Sequence, residues 1–118
     1  MTDPVVHFEV VGRDGAALQS FYTQMFGWQI DANNPMQYGV VPPSEGGIGG
    51  GIAQSDSPAL TFYVQVDDPQ TYLDRAEALG GRTVMPVTSI PGTVTFAQIA
   101  DPEGNVVGVV AAENPPAG

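Results

Sequence analysis

Apolar side chains recur at helical spacing in two stretches of the chain. The first stretch contains Leu18, Phe21, Tyr22, Met25 and Phe26, and the second contains Tyr72, Leu73, Ala76 and Leu79. Steps of three and four residues place such side chains on one face of an α-helix. Gly27 and Gly80 follow the two stretches, and glycine suits the left-handed position just past a helix end. Asp68 and Pro69 further predict the N-cap and first turn of the second helix.

A strand pattern precedes each predicted helix, at residues 5–11 and 60–66. Side chains alternate between the two faces of a strand, so Phe8 and Val10 are expected to share one face of the first strand. The opposite, mixed face then carries His7, Glu9 and Val11, and its counterpart in the second strand carries Thr61, Tyr63 and Gln65. We expect the more apolar face of each strand to pack under the helix.

Further strand-like stretches follow each helix. They cover residues 28–30, 37–41 and 48–52 in the first half and 82–85, 93–99 and 106–111 in the second. Each half therefore has the pattern strand, helix and three strands, which predicts an α+β fold of two βαβββ modules. We expect the modules at about 5–53 and 59–112 of one domain that spans residues 1–118.

Charge narrows the choice of partners. The chain has 13 acidic and three basic residues, a net charge of −10, and no cysteine. Such a surface repels nucleic acid and anionic membranes and favours a cationic ligand. No apolar run is long enough for a membrane span, and the first residues lack the pattern of a secretory signal. We therefore expect a cytoplasmic protein that binds neither nucleic acid nor membrane.

The two halves carry motifs in matching order. The first set is His7, Asp14, Phe21-Tyr22 and Phe26-Gly27-Trp28, and the second is Val66-Asp67-Asp68, Leu79-Gly80-Gly81 and Asp101-Pro102-Glu103-Gly104-Asn105. Together they resemble the vicinal oxygen chelate superfamily, which includes glyoxalase I, bleomycin resistance proteins and extradiol dioxygenases. The resemblance implies curled sheets that enclose a cavity, with the helices outside.

The same resemblance bears on metal binding. Metal-dependent members place one ligand on the first strand and one on the last strand of each module, and His7 matches the first of these positions. Thr61, or Leu60 one residue earlier, and Gly108 match two others, and the end of the first module has no carboxylate after Glu45. One imidazole does not hold a divalent ion by itself. We expect no metal cofactor, and a divalent metal only in a nonstandard site that includes His7.

The mixed strand face supplies the candidate site. His7 and Glu9 are the candidate catalytic residues, because an imidazole and a carboxylate on one face can exchange protons with a ligand. The candidate ligand-binding residues are His7, Glu9, Trp28, Tyr38, Thr61, Tyr63 and Gln65. Each also has a plainer interpretation: His7 as a pocket-wall residue, Glu9 as a solvated carboxylate, and the aromatic residues as part of the core.

Two functions remain open. The first is a metal-free module that binds a small drug or metabolite, aromatic or cationic in character. The alternative is a lyase, isomerase or dioxygenase of the same superfamily that uses His7 and Glu9, with or without a divalent metal. Exposed strand edges also predict a homodimer.

Overall fold

The computed structural model describes residues 3–112, and the polypeptide divides into two compact units. The first unit covers residues 6–62, and the second covers residues 63–112 together with residues 3–5. The predicted α+β class is confirmed by seven strands and two helices in this part of the chain. Neither helix there combines the length and the apolar character needed to cross a membrane.

The first unit places α1 on a small mixed sheet. Its elements are β1 (Val5–Gly12), α1 (Gly15–Phe26), β2 (Gly39–Val41) and β3 (Gly49–Gln54). β3 is the middle strand, parallel to β1 and antiparallel to β2. α1 begins where the Asp14 carboxylate accepts a hydrogen bond from the Ala17 N–H at 3.0 Å, and it ends at Gly27 with φ of 74°. Both termini use the residue types that suit these positions.

The second unit has the same order with one more strand. It contains the last four residues of β4 (Ala59–Val66), followed by α2 (Pro69–Ala78), β5 (Arg82–Ile90), β6 (Val94–Ala100) and β7 (Val106–Ala111). β7 lies between β4 and β6, and β5 forms the edge beyond β6. The core consists of Val66, Leu73, Ala97 and Val109, so the apolar face of β4 does pack under α2.

Both predicted helix signals in the second unit are confirmed. Asp68 caps α2 by accepting a hydrogen bond from the Gln70 N–H, and Pro69 is the first helical residue. Gly80 has φ of 95° just past the helix end.

The motif at 101–105 is a tight turn in which Asp101 Oδ1 accepts hydrogen bonds from the N–H groups of Glu103 and Asn105, each at 2.9 Å. Gly104 takes the left-handed conformation there, with φ of 94°.

The sequence pattern fails in the segment after α1. Residues 28–30 were expected to form a strand, but they have no strand pairing, and a single bridge joins Asp31 to Val40. The predicted strand at 37–41 is shortened to β2, because Gln37 has φ of 53° and turns the chain before Tyr38. A short apolar stretch is therefore insufficient to extend the sheet in this unit.

Candidate functional site

The mixed face of β1 carries a group of hydrogen-bonded polar side chains. The Tyr38 hydroxyl lies 2.9 Å from His7 Nε2 and donates a hydrogen bond to Glu9 Oε2 at 3.0 Å. Because the hydroxyl proton is directed to the carboxylate, the Nε2–H of His7 is the donor to the phenol oxygen. Three candidate residues of the sequence thus form one group, which we call the His7–Tyr38–Glu9 group.

The glycines of β3 make this arrangement possible. Gly51 pairs with Glu9, and a Cβ at Gly51 would overlap the Tyr38 phenol ring. On the other face of the strand, a Cβ at Gly50 would overlap the Phe8 ring. Consecutive glycines therefore let one aromatic ring approach the backbone from each side, which is a use of glycine expected where a side chain must lie close to a strand.

Asn34 fixes Tyr38 from the preceding turn. Its side-chain Oδ1 accepts a hydrogen bond from the Tyr38 N–H at 2.9 Å, and its Nδ2 donates to the Tyr38 carbonyl at 2.8 Å. The backbone carbonyl of Asn34 also accepts from the Gln37 N–H at 3.0 Å. Sequence reasoning missed Asn34, although an asparagine before a turn is a recognisable signal for this role.

The partly buried position of His7 sets its charge. Burial lowers the pKa of His7 below the ordinary value of 6.5, and the nearby Glu9 carboxylate opposes this shift in part. Because the pKa lies below 6.5, the imidazole is mainly neutral at neutral pH. The group as a whole then carries the negative charge of Glu9, which suits a ligand with a cationic hydrogen-bond donor.

The second unit has a related arrangement of its own. Tyr63 is 7% exposed, and its hydroxyl accepts a hydrogen bond from Gln98 Nε2 at 2.9 Å. A Cβ at Gly108 would overlap the Tyr63 ring, just as one at Gly51 would overlap Tyr38. Phe96 contacts the Tyr63 ring edge to face, with centroids 6.2 Å apart. Sequence reasoning missed Gln98 and Phe96, which the alternation along β6 could have indicated.

The remaining candidates lie apart from these contacts. Thr61 is half-buried on β4 in the first unit, and Gln65 is half-buried in the second unit, where its N–H donates to the Pro4 carbonyl at 2.8 Å. Trp28 was expected to line the same site as His7, but its ring lies 5.5 Å from that of Phe8, on the opposite face of β1. The structure therefore separates Trp28 from the His7–Tyr38–Glu9 group.

The residues present do not fit the metal site that the resemblance implies. His7 Nε2 is held by the Tyr38 hydroxyl, and the Gly51 position is closed to a side chain by the Tyr38 ring. The Gly108 position, the expected ligand position of the last strand, is closed in the same way by Tyr63. Within residues 3–112, no three histidine or acidic side chains are grouped as ligands of one ion. Aromatic rings thus take the space that ligands would need.

The sequence of the chain matches a known protein family. Residues 7–110 match the family model described as Glyoxalase-like domain. The putative glyoxylase CFP32 of Mycobacterium bovis is 30% identical over 107 residues, which cover 81% of this chain and 41% of that protein. The chain thus spans about two fifths of the length of this relative.

Solved structures share the fold at low sequence identity. A glyoxalase/bleomycin resistance protein/dioxygenase superfamily member from Vibrio splendidus 12B01 has a TM-score of 0.65 and 17% identity, covering 94% of this chain and 100% of that one. The methylmalonyl-CoA epimerase of Streptomyces coelicolor has a TM-score of 0.61 and 12% identity, covering 97% and 100%. With a family model that matches nearly its whole length, this chain belongs to the glyoxalase-like domain family.

Proposed function

We propose that the protein is a metal-independent binding module for a small cationic molecule, which pairs with Glu9 in the His7–Tyr38–Glu9 group. The observation that carries the proposal is the double hydrogen bond of the Tyr38 hydroxyl, which joins a neutral imidazole to a carboxylate. Tyr38 orients the carboxylate and leaves its charge uncompensated by the imidazole. A cationic donor is the natural partner of such a group.

The charge of the whole chain supports the same ligand class. Acidic residues exceed basic ones by 13 to three, and a negative field raises the local concentration of cations. The aromatic ring of Tyr38 adds a flat surface beside the carboxylate, which suits an aromatic cation.

The test is calorimetric titration with benzamidine and tryptamine, with and without a chelator. We expect saturable binding that chelation leaves unchanged and that Glu9→Gln abolishes. Glu45→Gln, which removes an equal charge from an exposed loop of the same unit, is the matched control. Binding that disappears on chelation and returns with a divalent ion would contradict the proposal, as would equal losses in the two variants.

Acid–base catalysis is a second candidate, favoured by the continuity of the hydrogen bonds from His7 through Tyr38 to Glu9. Such a chain can move a proton to and from the carboxylate during a lyase or isomerase reaction. The solved structure of an epimerase on this fold shows that the scaffold accommodates related chemistry in that protein. Deuterium exchange at the carbon beside the carbonyl of 2-oxo acids, followed by NMR, tests it. Exchange that Glu9→Gln leaves unchanged would reject it.

We also propose that the protein is a homodimer in the cytoplasm. Leu60 and Phe62 lie on one face of β4 and are 76% and 44% exposed, and two copies of the chain would cover this apolar surface by association. Light scattering should give twice the chain mass, and Leu60→Gln should shift the protein towards the monomer. A monomer at all concentrations would contradict the dimer and leave the binding proposal intact.

A further inference from the structure

The first unit has a cleft on the face of β1 opposite the His7–Tyr38–Glu9 group, lined by apolar residues together with Gln29 and Ser44. Its volume is about 540 Å³, and its walls come from the end of α1, from Phe8 of β1 and from the segment between β2 and β3. The apolar lining includes Phe8, Phe26, Trp28, Pro42, Pro43 and Ile48. Sites for small organic ligands have about 300–1,000 Å³ and mostly apolar walls.

The aromatic wall of the cleft is held in place by ring contacts. The Trp28 ring stacks on that of Tyr22, with centroids 5.5 Å apart and planes 11° from parallel. Phe26 and Phe8 contact the same indole, at 5.2 Å and 5.5 Å. Gly50 carries no side chain under Phe8, so the Phe8 ring lies against the sheet. The rings are thus ordered before any ligand arrives, which lowers the entropic cost of binding.

The opposite wall is also restricted. Val41 is buried, and the consecutive prolines that follow it, Pro42 and Pro43, have fixed φ angles. A turn then reverses the chain, with the Gly47 N–H donating to the Ser44 carbonyl at 2.8 Å. Ile48 follows this turn and is 43% exposed. An exposed isoleucine that lines the same cleft as three aromatic rings has apolar surface that a ligand can cover.

The residues that line the cleft indicate whether its ligand is charged or neutral. Among residues 3–112, none of those that line the cleft is acidic, basic or histidine. A charged ligand would lose its hydration here without a counter-ion, whereas a neutral ring would lose little. We propose that this cleft is a second ligand site, for a neutral planar aromatic molecule, and that it acts separately from the cationic site on the other face.

The chain has a single tryptophan, Trp28, so its fluorescence reports on this cleft. The experiment is a titration with the neutral dye N-phenyl-1-naphthylamine. We expect saturable binding in which the dye emission rises while Trp28 emission falls by energy transfer. The anionic analogue, anilinonaphthalene sulfonate, should bind at least about tenfold more weakly, because the described lining offers its sulfonate no counter-ion.

Two variants in the cleft and one control variant test whether the dye binds there. Phe26→Ala and Ile48→Asp should each weaken dye binding by about fivefold or more, since each reduces the apolar contact area. Met25→Ala removes an apolar side chain that is 61% exposed on the same helix but does not line the cleft, so binding should be unchanged. Equal losses in Met25→Ala and Phe26→Ala, or no saturable binding to the parent protein, would overturn the proposal. Glu9→Gln separates the two sites, because it should abolish benzamidine binding while the dye still binds.

Discussion

At the scale of single residues, the Tyr38 hydroxyl holds the polar group together, because it bonds with both His7 and Glu9. Tyr38→Phe keeps the ring over Gly51 and removes only this oxygen. We expect the free energy of unfolding to fall by about 1–2 kcal/mol, the usual net contribution of two hydrogen bonds. Benzamidine affinity should fall as well, because the carboxylate loses its orientation. Urea denaturation and calorimetry measure the two effects. Tyr22→Phe, which removes a hydroxyl from α1, is the control. Equal losses of benzamidine affinity in the two variants would contradict the role of the Tyr38 hydroxyl in orienting Glu9.

His7 gives a pH prediction whose sign follows from its environment. Burial lowers the pKa of the folded His7 below 6.5, so the unfolded chain takes up this proton at a higher pH than the folded chain. Between the two pKa values the unfolded state binds more protons, and stability there rises with pH. We therefore expect the free energy of unfolding to be undiminished by His7 above pH 6.5 and to decrease as the pH falls below it.

Comparison with His7→Gln isolates this contribution from that of the many carboxylates. Urea denaturation of both proteins between about pH 5 and 8 should give curves that diverge on the acidic side. Since His7 is the only histidine, its NMR titration gives the folded pKa directly. A titration midpoint above 6.5, or parallel stability curves, would show that burial does not dominate at this position.

At the scale of elements, Gly51 and Gly50 of β3 lie under rings of two different proposed sites, one on each face of the strand. Gly51→Ala should displace the Tyr38 ring and weaken benzamidine binding, whereas Gly50→Ala should displace the Phe8 ring and weaken dye binding in the aromatic cleft. Each overlap should destabilise the protein by about 1–3 kcal/mol. Gly47→Ala is the control for the loss of stability, because the nearest atom to its Cβ would be 3.6 Å away. If both β3 variants affected both ligands equally, the two faces would not act independently.

The elements also show what the pattern of the sequence could predict. The helices and the strands ahead of them were predicted because their signals are local: an N-cap aspartate, a glycine past the helix end, and alternation along the strand. The proximity of His7 and Glu9 followed from the same alternation. The role of Tyr38 did not, because it depends on the register of β2 and β3 and on the turn made by Asn34 and Gln37. Trp28 was expected to line the same cavity as His7, but its ring packs on Phe8, a contact that the local pattern does not reveal.

At the scale of the whole molecule, the net charge of −10 makes a prediction that distinguishes the two proposed ligands. A cationic ligand is attracted by the summed field of the acidic residues as well as by Glu9, and dissolved salt screens that field over about 10 Å at 0.1 M ionic strength. Benzamidine affinity should therefore fall steadily as sodium chloride is added.

The neutral dye is the internal control for that salt series. Its affinity for the aromatic cleft should stay constant or rise slightly, because salt does not weaken the burial of apolar surface. The expected result is thus a pair of opposite or diverging slopes measured on one protein sample. Parallel slopes would mean that the field of the acidic residues contributes nothing to benzamidine binding. Diverging slopes combined with loss of only the benzamidine response in Glu9→Gln would place the charge-sensitive site on the mixed face of β1.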